Sequence, residues 1–372
     1  MQCGYFDAGV CRSCTHMGVD HAEQVARKQA TVSDALGPRL SWTEPVTGAE
    51  SAFRNKAKLV VGGRRGEPTL GILDGGQRGV DLTGCGLYEP GLADVVHRLP
   101  AVVADLGLTP YDVPGRTGEL KHLLVTHSPD GEVMLRFVLR SPGQLRRIRE
   151  GLDVIRERVP ETRVVSVNLQ PEHKAVLEGP DEEVLTDLDT LPMRVNDVTL
   201  HLRPRSFFQT NTFIAEALYA RARAWISELR PSTVLDLYCG VGGFGLHALG
   251  HGAHHVIGVE SSADAILSAR RSATELPEGL TSEWHAGDAT QHLMDATPDL
   301  VVVNPPRRGI GPELCGRLET GGPAHLIYSS CNVTTLARDL AALPSYDVRT
   351  AGLFDMFPQT GHHEVMVLLA RR

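Results

Sequence analysis

The sequence predicts an α/β protein built in two parts, and three observations carry that expectation. After about residue 205, compact runs rich in valine, isoleucine and leucine alternate with helical patterns, as in a parallel sheet covered by helices. Between about residues 50 and 200 the runs are shorter and punctuated by glycine, which reads as α+β. Ahead of both, the opening MQCGYFDAGVCRSC holds three of the chain's seven cysteines before any core can begin. The expected organisation is a cysteine segment over 1–40 completed by Cys85, a central α+β domain over 41–204, and an α/β domain over 205–372.

A chain of 372 residues is too long for one ordinary core. No apolar run approaches the about 20 residues a membrane span needs, and the N-terminus lacks the sections of a signal peptide. A soluble cytoplasmic protein is expected, and in that compartment close cysteines hold metal or do chemistry more often than they form disulfides. The formal charge of -8 argues against indiscriminate nucleic-acid binding. Local basic clusters remain: Arg54, Lys56, Lys58, Arg64 and Arg65, and then Arg136, Arg140, Arg146, Arg147 and Arg149. Each taken alone reads as a solvated face.

In chain order, AKLVVGG, PTLGIL, HLLVTHS, EVMLRFVLR and VVSVNLQ read as short strands, and QLRRIREGLDVIRERV as a helix. A helix follows through IAEALYARARAWISEL, then the buried strands STVLDLYCG, HHVIGVE, DLVVVNPP and AHLIYSS. Ligands of such sheets bind beyond the carboxyl ends of the strands.

The first of those ends, DLYCGVGGFG, places Asp236 on the strand and Gly240, Gly242, Gly243 and Gly245 in a turn that lets a ligand approach the backbone. The next strand ends on Glu260, about twenty residues later, where a carboxylate accepts hydrogen bonds from both ribose hydroxyls. A dinucleotide enzyme fits these two features equally well. Asp288 after a third strand and Asn304-Pro305-Pro306 after a fourth give instead the layout of a class I, Rossmann-like, S-adenosylmethionine-dependent methyltransferase. Asp288 alone also reads as a helix N-cap.

Asn-Pro-Pro occurs in methyltransferases of exocyclic amines, where an aromatic residue follows; here Arg307 follows. Cys331 stands just past the fifth strand, and Glu364 enters the last one. Carbon 5 of uracil is a poor nucleophile, which explains a need for both. A thiolate adding to carbon 6 makes carbon 5 reactive, and a base must later remove the carbon-5 proton. Cys331 suits the nucleophile and Glu364 the base. A thiol is only a few per cent ionised at neutral pH, so Arg307 and Arg308 are candidates to lower its pKa. Cys239 and Cys315 read as small buried hydrophobes. HHEVMV lacks the second histidine of a zinc protease, with Val367 in its place.

These motifs, with FRNKAK, ELKHLLVT, MLRFVLRS, RPRSFFQTN, VNPPRRGIG, YSSCN and LFDMFPQTGHHEV, make the chain similar to the bacterial RNA (uracil-C5)-methyltransferases over essentially its whole length. The resemblance implies that Gln209, Tyr238, Glu260 and Asn304 hold S-adenosylmethionine, with Cys331 as nucleophile and Glu364 as base; the strand layout adds Asp288 to the cofactor-binding set. Family members act on tRNA or on different rRNA uridines, and some carry an N-terminal RNA-binding barrel. This chain starts at its cysteine motif, which favours action on 23S rRNA at a uridine-747 type of site. The alternatives are another rRNA uridine, the tRNA T-loop, or a non-catalytic RNA-binding protein. A ribosome-assembly intermediate is the other form of substrate expected, and a monomer the expected state.

Cys3, Cys11 and Cys14 are spaced C-x7-C-x2-C, and Cys85 is the other cysteine of the first half. Four thiolates suit zinc or an iron–sulfur cluster, and spacing does not choose. The resemblance implies [4Fe–4S]. Methyl transfer requires no redox step, so a structural role is expected. A radical enzyme is disfavoured, because the usual spacing is C-x3-C-x2-C and no barrel pattern follows. No βαβ pattern surrounds CRSC to make it thioredoxin-like. The uridine must be unstacked to be reached; FRNKAK and RPRSFF offer phosphate contacts beside aromatic faces, with Phe207 or Phe208 to stack on a base and marked salt dependence expected.

Overall fold

Short apolar strands broken by glycine close into one mixed sheet in the first half of the chain. In the computed structural model, which describes residues 1–174, 176–292 and 298–372, these are β1 (Lys56–Arg64), β2 (Glu67–Leu73), β3 (Gly79–Asp81), β4 (Leu120–His127), β5 (Val133–Leu139), β6 (Thr162–Leu169) and β7 (Asp181–Val184). Their order is β3-β2-β1-β4-β5-β6-β7, antiparallel except between β5 and β6. The helix Pro90–Asp105 buries Leu92, Val95, Val96, Leu99, Val102 and Val103, the i, i+3, i+4 stripe of an element lying on a sheet. The helix expected through residues 144–159 is two, Leu145–Glu150 and Leu152–Arg158. Gly151 divides them: a Cβ there would meet Leu106 Cδ2 at 2.1 Å, so close packing selects a residue that weakens the helix.

Arg136 departs from its expected solvated face. It is buried on β5 and pairs with Glu178 and Glu182, its Nε donating to Glu182 Oε1 at 2.8 Å. The neighbouring arginines are also met by acids: Arg140 by Glu119 and Arg146 by Glu150.

The second half forms β8 (Leu191–Val195) paired with β9 (Val198–Leu202), then β10 (Thr233–Leu237), β11 (His255–Glu260), β12 (Thr281–Ala286), β13 (Leu300–Val303), β14 (His325–Ser330), β15 (Tyr346–Phe354) and β16 (Glu364–Arg371). The large sheet has the order β12-β11-β10-β13-β14-β16-β15. Strands β10 to β14 are parallel, as expected of runs such as LVVV buried on both faces. Strand β16 runs antiparallel between β14 and β15.

Compact units divide the chain as Met1–Cys14 with Glu50–Leu191, and Thr15–Ala49 with Pro192–Arg372. Residues 15–49 thus pack with the α/β unit, where the sequence groups them with the cysteine segment and central domain. Their helix His21–Leu36 adds Val25 and Val32 to the core beside β14, β15 and β16. Trp42 and Val46 bridge in parallel to Ala351 and Phe354 of β15.

Candidate active site and cysteine cluster

Parallel strands that all end on one side leave a hollow above their carboxyl ends, and here it is a cavity of about 970 Å³. Gln209, Tyr238, Glu260, Asp288, Asn304, Cys331 and Glu364 all line it. The sequence-chosen residues therefore converge on one site.

Tyr238 leaves β10 with φ +60°, a left-handed conformation that costs a bulky residue about 1–2 kcal/mol. The turn that follows is shaped by close packing. A Cβ on Gly243 would meet the Tyr219 hydroxyl at 2.4 Å, and one on Gly242 the Trp284 ring at 2.8 Å. Glu260, at the end of β11, accepts from the Ser261 hydroxyl at 2.8 Å and the Ser262 N–H at 2.9 Å. These bonds hold the carboxylate at the strand end. Asp288 accepts the Thr290 N–H at 2.7 Å, which lowers its pKa. It is therefore both an N-terminal turn partner and a cavity wall. Asp236 lies beneath the turn, fully buried, with Oδ2 accepting the Gly245 N–H at 2.8 Å. Burial pushes its pKa up to about 7, with the Glu260 charge adding to the rise.

Cys331 and Glu364 come from different strands. Ser330 pairs with Val365 in the antiparallel ladder of β14 and β16, so the residue after one faces the residue before the other. Glu364 is buried, and its Oε1 accepts the Ser329 hydroxyl at 2.6 Å. Burial raises its pKa to about 7, and the Ser329 bond opposes the rise. The Cys331 pKa is raised by burial and by the Glu364 charge, while the charge and hydrogen bond of Arg307 lower it. Arg307 is thus the cation at the thiol. The Arg308 charge acts on Tyr238 instead. Cys239 and Cys315 are both buried, as expected.

Of the two expected stacking residues, Phe208 is buried and Phe207 is 68% exposed at the cavity wall. Arg205, Tyr219 and Phe357 also line the cavity. Arg205 belongs to the RPRSFF stretch expected to contact phosphate; Tyr219 and Phe357 were not singled out, because a tyrosine inside a helical pattern and an aromatic in a loop look like ordinary core.

In the other unit, the four N-terminal-half cysteines sense one another electrostatically. Burial, and then Cys85, Cys11 and Cys3, push the Cys14 thiol up to about 11, with Arg54 opposing. Burial also raises Cys85, against a hydrogen bond from the Leu87 backbone and the Arg54 charge. The Arg54 Nε is buried and has no hydrogen-bond partner among the described residues. Those residues include no group of three or more His, Cys, Asp or Glu set to hold a metal ion. The same residues contain no helix long and apolar enough to cross a membrane.

Known proteins resemble the chain in both sequence and shape. A family model described as tRNA (Uracil-5-)-methyltransferase matches residues 182–372. The 23S rRNA (uracil(747)-C(5))-methyltransferase of Halothiobacillus neapolitanus is 46% identical over 379 residues, covering 100% of each chain. The protein of the same name from Salmonella arizonae is 47% identical over 377 residues, again with 100% of each covered. Among solved structures, the Pyrococcus abyssi tRNA (uracil-54, C5)-methyltransferase in complex with S-adenosyl-L-homocysteine superimposes with a TM-score of 0.80. It is 24% identical and matches 96% of this chain and 85% of its own, a likeness of fold.

Proposed function

The chain belongs to the tRNA (Uracil-5-)-methyltransferase family, and from that premise we propose that it methylates carbon 5 of a 23S rRNA uridine of the uridine-747 type. The observation that carries the chemistry is the facing pair Cys331 and Glu364 at the wall of a cavity also lined by Tyr238, Glu260 and Asn304.

Gln209, Tyr238, Glu260, Asp288 and Asn304 are the residues placed to hold S-adenosylmethionine, which supplies an electrophilic methyl group when bound. The Cys331 sulfur adds to carbon 6 of the uracil, and the ring's electron pair moves onto carbon 5 and the carbonyl. Carbon 5 then takes the methyl group, and the electron pair of the broken carbon–sulfur bond stays on the donor's sulfur, which departs as a neutral thioether. The Glu364 carboxylate removes the remaining carbon-5 proton, the ring double bond re-forms, and the Cys331 sulfur leaves as thiolate. Phe207 is positioned to stack on an unpaired base. The substrate is 23S rRNA, free or in an assembly intermediate, and the enzyme works as a cytoplasmic monomer. Incubating purified protein with a 23S rRNA fragment and mapping the modified base tests this: 5-methyluridine at one site is expected, and methylation of tRNA alone would refute the rRNA assignment.

Glu364 must be ionised to accept the proton, so turnover limited by that step rises with pH through about 7. Ser329→Ala removes the hydroxyl that favours the ionised form and is expected to move this limb to higher pH by roughly one unit. Ser329→Thr restores it. The measurement is the pH dependence of adduct breakdown.

Cys3, Cys11, Cys14 and Cys85 are the residues that would hold a [4Fe–4S] cluster. The buried Arg54 Nε, which has no hydrogen-bond partner among the described residues, provides a donor for a sulfur acceptor. The cluster would tie the terminus to the Cys85 turn. Anaerobically purified protein is expected to absorb broadly in the visible and to contain iron and sulfide, and Cys85→Ser to lose both.

A further inference from the structure

Residues 355–363 connect β15 to β16. They bring Phe357 to the cavity, set the His362 Nδ1 3.4 Å from the Arg307 guanidinium, and deliver Glu364 to the first position of β16. This connection lies outside the strand ladder, and Gln359 within it holds a left-handed φ of +67°. Its geometry needs an external support.

One face of the helix His21–Leu36 supplies it. His21, Gln24 and Lys28 recur at i, i+3 and i+7, so they share a face. The Lys28 Nζ donates to Asp355 Oδ1 at 2.5 Å and to the Phe357 carbonyl at 3.0 Å. That carbonyl also accepts the Thr360 hydroxyl at 2.9 Å, and the Thr360 oxygen accepts the His362 N–H at 3.2 Å. The Gln24 Oε1 accepts the Gln359 N–H at 2.8 Å. His21 Nε2 meets the second Asp355 oxygen at 2.7 Å. Lys28 and Asp355 have side chains only 2% and 0% exposed. A buried ion pair is a poor source of adhesion, since apolar residues of similar volume hold elements together as well or better. Its directed bonds do what apolar contacts cannot: they fix one carboxylate and one carbonyl in place.

Building on the assignment of Glu364 as base, we propose that Lys28 is a positioning residue that anchors the 355–363 connection and thereby aligns Glu364 beside Cys331. The anchor acts after the nucleophile has added, when the carboxylate must reach the carbon-5 proton.

The test uses full-length Lys28→Met, Lys28→Arg and the double variant Lys28→Met/Asp355→Leu, which replaces the ion pair with apolar volume and keeps the fold. Each is assayed for turnover on a 23S rRNA fragment, KM for S-adenosylmethionine, and the amount of covalent protein–RNA adduct at steady state. Lys28→Met and the double variant are expected to lose about 10- to 100-fold in kcat, the scale of a small misplacement. Adduct accumulates in both, KM for S-adenosylmethionine stays within about twofold because its site is untouched, and Lys28→Arg recovers part of kcat. Wild-type kcat with no accumulated adduct in the folded double variant would overturn the proposal. A wild-type protein that methylates but never forms an adduct would instead overturn the Cys331–Glu364 chemistry on which it rests.

Discussion

A Cys331→Ala enzyme is expected to lose methyl transfer by roughly 10⁴- to 10⁶-fold, the scale seen when a covalent nucleophile is removed. Without the sulfur, carbon 5 of uracil has no means of becoming electron-rich, and the remaining groups only hold the reactants. The same variant should bind S-adenosylmethionine with unchanged affinity, since Tyr238, Glu260 and Asn304 stand on other strand ends. Titration calorimetry separates the two effects. RNA carrying 5-fluorouridine sharpens the test, because fluorine at carbon 5 cannot leave as a proton and wild-type enzyme stays bonded to it. A Cys331→Ala protein that still forms this denaturant-stable complex would remove the nucleophile from position 331. The raised pKa of the thiol adds a prediction of sign: burial and the Glu364 charge both oppose thiolate, so addition depends on Arg307.

The second large effect separates addition from release. Glu364→Gln is nearly isosteric and keeps a partner for the Ser329 hydroxyl, yet it cannot take a proton from carbon 5. Turnover is expected to fall about 10²- to 10⁴-fold, the usual contribution of a general base. Methylated RNA should remain attached to Cys331 on ordinary uridine substrate. Gel electrophoresis under denaturing conditions would reveal the retarded species, and mass spectrometry would place it at Cys331. An absence of adduct together with full turnover would move the base elsewhere. Losing the Glu364 charge also relieves one cause of the raised Cys331 pKa, so the first step should be no slower than in wild type.

Tyr238, Glu260, Asp288 and Asn304 were legible as one cluster because each stands at or just past the end of a parallel strand, and strand ends of a parallel sheet are forced together; Gln209, ahead of the helix Thr212–Leu229, follows no such rule. Cys331 and Glu364 were legible as chemistry, but not as neighbours. Their apposition comes from β16 entering antiparallel between β14 and β15, a choice that no local pattern records. The helix His21–Leu36 was missed for a related reason. Part of its buried face is Gln24 and Lys28, and a polar stripe gives periodicity methods nothing to detect. Arg136 misled in the opposite direction. A run of arginines looks like a surface, and only the fold brings Glu178 and Glu182 to meet it. Gly151 shows the limit of pattern at short range, since its role is set by Leu106.

The attachment of residues 15–49 to β15 and β16 bears on how the protein comes into being. Lys28 and Asp355 are 327 positions apart, and translation releases the first long before the second exists. Contacts this distant in the chain form slowly, because a large loop must close before they are rewarded. The early helix therefore meets Asp355, Phe357 and Gln359 only after that late connection has been made. A chain ending before residue 355 would leave the polar face of His21–Leu36 without the groups it bonds.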